Sequence, residues 1–180
     1  MGKLFVISGS SGVGKGTVIK EFLKKNSNYK LSVSCTTRKP RTGEEHGVNY
    51  FFLTKEDFLL KIKNDEFLEW AEFSGNMYGT QKEYVKNKLA EGKNLILEID
   101  TQGALNVKKL MPEATLIFIL PPSFEELEAR LRGRHTETED AIQKRLESTR
   151  LEMENSKKFD YQIVNDSIEN AVLALEKVLL

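Results

Sequence analysis

The stretch Gly9-Ser10-Ser11-Gly12-Val13-Gly14-Lys15-Gly16-Thr17 is the segment whose residue types and spacing most clearly could do chemistry. Gly9, Gly14 and Lys15 have the G-x4-G-K spacing of a phosphate-binding loop. Glycines let the backbone turn tightly enough for successive amides to face phosphate oxygens. A helix starting just after the loop adds free amides and the positive end of its dipole. Lys15 supplies a point charge for the β- and γ-phosphates of a nucleoside triphosphate. The hydroxyl that usually follows the lysine is displaced by one, to Thr17, which weakens the case for direct coordination of Mg²⁺ by that hydroxyl.

A second anion site is suggested downstream. Ser34-Cys35-Thr36-Thr37-Arg38-Lys39-Pro40-Arg41 carries Arg38, Lys39 and Arg41 in an eight-residue window without an acid. Two arginines spaced by three and stiffened by Pro40 suit a forked grip on a phosphate dianion. Tyr50, Glu69 and the run Tyr78-Gly79-Thr80 follow. A carboxylate such as Glu69 can accept two hydrogen bonds from the N1–H and N2–H₂ edge of guanine, a donor pair that adenine lacks. Each residue also has a plainer reading. Arg38 and Arg41 could be surface arginines. Glu69 lies in the acidic run Asp65, Glu66, Glu69, Glu72, which could be a solvated face. Asp100 could simply cap a helix, Tyr50 and Tyr78 could be core aromatics, and Arg134 and Arg145 could lie on a polar helix face.

These residues need elements to position them. Leu4–Ile7, Leu31–Ser34, Leu95–Ile99, Leu116–Leu120 and Tyr161–Val164 read as strands. Helical patterns cover Lys15–Lys25, Gly103–Leu110, Ser123–Leu131, Thr138–Lys157 and Ser167–Leu179. Strand and helix in alternation predict an α/β fold, a five-stranded parallel sheet flanked by helices behind the phosphate loop. Residues 35–82 are too long for one crossover. With strand-like Tyr50–Leu53 and Phe67–Phe73 around a helix near Lys55–Asn64, they read as an inserted α+β subdomain. The core is then 1–34 with 83–180. Residues 130–150 are charge-dense and poor in apolar anchors, which fits either a solvated helix or a mobile flap.

Composition sets the outer bounds. In 180 residues, 27 basic side chains balance 27 acidic ones, which argues against a polycation for nucleic acid or an anionic membrane surface. The 39% hydrophobic fraction is ample for a core. The lone Cys35 cannot form an internal disulfide and fits a reducing compartment. No apolar run nears the ~20 residues of a membrane span, and the apolar start stops after Ile7. A cytoplasmic location is the default. Oligomeric state is not addressed by these patterns.

Taken together, the chain resembles guanylate kinase, the ATP-dependent GMP kinase of the P-loop nucleoside monophosphate kinase group. The resemblance runs from Gly9 to the last helix. Its most specific pieces are Thr37-Arg38-Lys39-Pro40-Arg41, Gly47-Val48-Asn49-Tyr50-Phe51-Phe52, Tyr78-Gly79-Thr80, Asp100-Thr101-Gln102-Gly103-Ala104 and Gly133-Arg134. The resemblance implies that 35–82 binds GMP and that 130–150 is a helical lid. Ser34, Arg38, Arg41, Tyr50 and Tyr78 would hold the GMP phosphate, and Glu69 and Thr80 would read guanine. Asp100 would sit near the acceptor nucleotide and the waters of Mg²⁺, which phosphates and waters hold for the most part, with Thr17 also near. ATP would occupy Gly9, Ser10, Ser11, Gly12, Val13, Gly14, Lys15, Gly16 and Thr17, with Asn165 contacting adenine. Lys15, Arg38, Arg134 and Arg145 would be catalytic. The sequence departs from the family at Ser10, often Pro, and at His135, where Gly is common. Kinases for AMP or a pyrimidine monophosphate, a protein-binding scaffold and a generic ATPase or GTPase are the competing readings.

Overall fold

The computed structural model describes residues 1–133 and 138–180. In chain order the elements are β1 (Leu4–Gly9), α1 (Lys15–Lys25), β2 (Tyr29–Leu31), β3 (Cys35–Thr36), β4 (Phe51–Phe52), α2 (Lys55–Lys63), β5 (Phe67–Phe73) and β6 (Asn76–Gln81). They continue with α3 (Lys82–Ala90), β7 (Asn94–Glu98), α4 (Thr101–Leu110), β8 (Thr115–Leu120), α5 (Phe124–Gly133), α6 (Glu139–Asn155), β9 (Tyr161–Val164) and α7 (Ile168–Leu179). A five-stranded sheet has the order β2-β7-β1-β8-β9, and a four-stranded sheet the order β4-β3-β6-β5. The fold is the expected α/β one, a parallel sheet flanked by helices.

One compact unit comprises Phe5–Ser27, Glu98–Thr101 and Thr115–Leu180. In it β8 runs parallel to β1 on one side and to β9 on the other. A parallel strand covered on both faces needs apolar residues at every position, and Leu116, Ile117, Phe118 and Ile119 are all fully buried. Helix α1 buries Val18, Ile19 and Phe22 and packs against α7, which buries Ala171, Val172, Leu175 and Leu179. Ser167 caps α7 by accepting from the Asn170 N–H at 3.2 Å. Within the charge-dense stretch, α6 buries Ile142 and Leu146 against Leu127 and Leu131 of α5. These anchors seat a packed helix where the sequence left a choice between a solvated helix and a flap.

The other unit comprises Met1–Leu4, Asn28–Leu97 and Gln102–Ala114. Here β2 pairs in parallel with β7. The strand expected at Leu31–Ser34 lies two residues earlier, because buried Tyr29 is its anchor while Leu31 is 41% exposed. Ser32 N–H still donates to Ile96 O at 2.8 Å, so the ladder persists one residue past the strand. The four-stranded sheet is drawn wholly from residues 35–81. Its β5–β6 hairpin turns on Ser74 and Gly75, at φ 51° and 75°, the doubly positive geometry that matches strand twist in two-residue loops. Cys35, Phe58, Phe67 and Met77 form its core, with Phe58 and Phe67 stacked at 4.5 Å. Burial pushes the Cys35 thiol up to about 11.

Three elements escaped the sequence reading: the two-residue β3, β6 and α3. Strand β6 runs unbroken through Gly79, whose missing side chain makes room for Phe67 and Phe58, atoms that a Cβ would meet at 3.0 and 3.1 Å. Helix α3 buries only Val85 and Leu89 and starts without a side-chain cap, so it carries little amphipathic signal.

Candidate active site

The phosphate loop begins where β1 ends and closes at the first turn of α1. Gly14 caps that helix in a left-handed conformation, φ 88°, and Gly12 also has φ 83°. A Cβ at Gly14 would come within 2.8 Å of Asn165 Nδ2, and one at Gly9 within 2.7 Å of Ile119 O. Glycine is required at these positions for space as well as for backbone angle. Asn165 is buried and its Nδ2 donates to Val13 O at 2.7 Å, while its own N–H donates to Leu120 O at 2.8 Å. The residue that follows β9 thereby ties the loop to the end of the sheet. A cavity of about 460 Å³ lies over the loop and is lined by Ser10, Ser11, Lys15, Gly16, Thr17 and Glu98, among others.

Helix α6 reaches the same loop. Thr138 caps it by accepting from Ala141 N–H at 3.3 Å. From its buried Ile142–Leu146 side, Arg145 extends to donate from Nη2 to Ser11 Oγ at 2.7 Å. Two turns on, Glu152 is half-buried. Burial pushes its carboxyl above the ordinary value against the pull of Ser10 and Lys15, with Asp100 adding to the rise. Arg132 of α5 is bound by Glu139 and by Glu128. The Arg132 guanidinium, helped by Gln143, holds the Glu139 carboxyl down at about 2. A lowered carboxylate contributes stability above its ordinary value of 4.5, and the contribution is lost as pH falls through about 2. In an NMR titration the Glu139 carboxyl should have its midpoint near 2 in the native chain and return toward 4.5 in Arg132→Gln.

In the other unit a second set of polar groups converges. The Arg38 guanidinium lies 5.4 Å from the centre of the Tyr50 ring, and Tyr50 meets Tyr78 edge-on at 6.2 Å. Ser34 stands just before β3, and its carbonyl accepts from Phe51 N–H at 2.8 Å. Arg41 is exposed, and its backbone N–H donates to Glu44 Oε2 at 2.7 Å. On the adjacent strands β5 and β6, Thr80 is fully buried and Glu69 is 7% exposed. Thr80 Oγ1 donates to Glu69 Oε1 at 2.6 Å. A carboxylate this well buried is not part of a solvated acidic face. It also lines a cavity of about 350 Å³ with Phe67, Trp70, Asn106 and Lys109.

The structure thus places Gly9 through Thr17, Arg145 and Asn165 around one loop, and gathers Arg38, Tyr50 and Tyr78, with Arg41 joined to them through its backbone bonds to Glu44. It pairs Glu69 with Thr80. Asp100 follows β7 as an exposed residue in the phosphate-loop unit. Arg134 and His135 lie outside the described residues. Sequence reasoning missed Glu44, Glu98 and Glu152. Glu98 carried a signal, since it ends an apolar strand two residues before Asp100. Its carboxylate approaches Gly16, where a Cβ would lie 3.5 Å from Oε1.

The family model described as guanylate kinase matches residues 1–180. The guanylate kinase of Clostridium perfringens strain SM101 is 52% identical over 179 residues, which covers 99% of this chain and 83% of that protein. The crystal structure of guanylate kinase from Anaplasma phagocytophilum superposes with a TM-score of 0.76 at 35% identity, over 99% of this chain and 84% of that one. Shikimate kinase from Bacteroides thetaiotaomicron, at 15% identity and a TM-score of 0.53 over 98% of both chains, shares the fold alone. With a family match across its whole length and relatives at about half identity, this chain belongs to the guanylate kinase family, whose members phosphorylate GMP with ATP to give ADP and GDP.

Proposed function

We propose that the residues gathered at these two sites divide the work of ATP + GMP ⇌ ADP + GDP as follows. Gly9, Ser10, Ser11, Gly12, Val13, Gly14, Lys15, Gly16 and Thr17 cradle the ATP phosphates, and Asn165 serves that site through the loop it braces. Arg38, Arg41, Tyr50 and Tyr78, with Ser34, hold the GMP phosphate. Glu69 and Thr80 read guanine, and Asp100 faces the acceptor nucleotide. The buried Glu69–Thr80 pair carries the guanine reading, because a hydroxyl holding one carboxylate oxygen orients the other acceptor positions toward an N–H-rich base edge.

The phosphate oxygen of GMP is already anionic and needs no general base. The obstacle is its repulsion from the γ-phosphate, which Lys15, Arg38, Arg134 and Arg145 offset. The donor set at the loop also suits Mg²⁺. Among the described residues no group of three or more acidic, His or Cys side chains could hold a metal ion. Mg²⁺ keeps most of its waters and takes one or two carboxylates plus substrate phosphates, and Glu98 beside the cavity, with Thr17 and Asp100, fits that role. When bound, the ion would neutralise charge on the β- and γ-phosphates.

Location in the cytoplasm is supported by the single buried cysteine. No helix among the described residues is long and apolar enough to cross a membrane. The chain's overall charge balance supports small nucleotides rather than a nucleic acid as partners. The deciding experiment is coupled ADP release with Mg-ATP and each of AMP, GMP, CMP and UMP. GMP should exceed the others in kcat/KM by at least ~10²-fold, the discrimination expected of a site whose hydrogen-bonding groups are left unpaired by the wrong base. Equal turnover of AMP would overturn the roles of Glu69 and Thr80.

A further inference from the structure

Arg38 and Arg41 stand in a window without an acid, yet the fold brings one to them from three residues further on. Arg38 donates from Nη1 to Glu44 Oε2 at 3.0 Å and from Nη2 to Glu44 Oε1 at 2.9 Å, an end-on fork. The same Oε2 accepts the Arg41 N–H at 2.7 Å, and Glu44 N–H donates to Arg41 O at 3.0 Å. Arg38 Nη1 also donates to Lys39 O at 2.9 Å, and its backbone N–H to Thr36 Oγ1 at 3.1 Å. Both side chains are withdrawn from solvent, at 16% exposure for Arg38 and 19% for Glu44. The pair holds the Arg38 guanidinium above, and the Glu44 carboxyl below, their ordinary values.

Three of the five guanidinium N–H donors are thereby committed to Glu44 and Lys39. The other two, on Nε and on Nη2, share one edge of the planar group, the spacing that grips a phosphate through two parallel bonds, and Tyr78, assigned to the same phosphate, also acts on this guanidinium. An acid beside a phosphate site opposes anion binding by charge, so its contribution must be geometric. We propose that Glu44 is a positioning residue of the acceptor site: it locks the Arg38 guanidinium and the Arg38–Arg41 turn so that the remaining Arg38 edge and the Arg41 side chain are aimed at the phosphate of GMP. The proposal rests on the assignment of Arg38 to that phosphate.

The test compares the full-length chain with Glu44→Gln and Arg38→Ala variants, measuring affinity for GMP, for guanosine and for ATP by titration calorimetry or competition. Glu44→Gln is expected to weaken GMP by about 10-fold, the scale of one charged hydrogen bond, and to leave guanosine and ATP within about 2-fold of the native chain, the ordinary scatter for surface changes. Guanosine lacks the phosphate, so retained guanosine binding also reports an intact subdomain. Equal losses for GMP and guanosine would make Glu44 merely structural and overturn the proposal. Unchanged or tighter GMP binding would overturn it too, the latter marking Glu44 as a competing anion. If Arg38→Ala also leaves the GMP-to-guanosine ratio intact, the phosphate assignment falls with it. If Arg38→Ala lowers that ratio and Glu44→Gln does not, only the role of Glu44 falls.

Discussion

Replacing Arg145 by alanine is expected to lower kcat by about 10³-fold or more, the range reported for cationic fingers in phosphoryl transfer. KM for either nucleotide should move by no more than about 3-fold, because the charge is needed where the transferring group becomes most polarised rather than in the ground state. The geometry supports this split. Arg145 stands on α6, whose Ile142 and Leu146 are buried against α5, and its guanidinium reaches Ser11 of the phosphate loop. The cation is therefore aimed by a packed helix and costs little reorganisation at the moment of transfer. Arg145→Lys, which keeps the charge and loses the planar fork, should fall between the two. Steady-state kinetics with saturating Mg-ATP and GMP checks it. An alanine variant with native kcat would remove Arg145 from the transfer step.

Glu69→Gln is expected to cut kcat/KM for GMP by about 10²–10³-fold, equivalent to losing hydrogen bonds to a charged acceptor worth roughly 1.5–3 kcal/mol each. KM for ATP should stay within about 2-fold, the scale of a change remote from its site. The isosteric amide keeps one acceptor oxygen and turns an NH₂ toward the N–H edge of guanine, donor against donor. The preference for GMP over IMP, which lacks the 2-amino group, should collapse in the variant. Rates with GMP, IMP and a range of ATP concentrations distinguish this from general damage. Parallel losses for both nucleotide sites, or an unchanged GMP-to-IMP ratio, would remove Glu69 from base reading.

The parts of the fold that were legible in the sequence are those in which burial is continuous or strongly periodic. Leu116–Leu120 is apolar at every position because β8 is a parallel strand covered on both faces, with Leu116 to Ile119 fully buried. The loop at Gly9–Thr17 was legible because its glycines, its lysine and its flanking elements all serve one purpose. The inserted segment was less so. Its strands β3 and β4 are two residues long, and β6 gives up a side chain at Gly79 to make room for two phenyl rings. The acids near the sites were the least legible. Glu44 stands only three residues after Arg41 but beside a second acid, Glu45, and Glu152 lies seven residues beyond Arg145 on a helix full of charges, so only folding shows which charges they face. Glu69 was legible by type, but its burial and its bond to Thr80 depend on strand register.

The bond from Asn165 to Val13 O spans 152 residues. As the chain is synthesised, the Gly9–Thr17 segment is made well before the amide that braces it. The ladder that carries Asn165 to its place, β9 on β8, also closes only then. Contacts of such sequence separation form late because chain closure must precede them. A nascent chain that has not yet reached Asn165 therefore carries every residue of the Gly9–Thr17 loop without the bond that braces it.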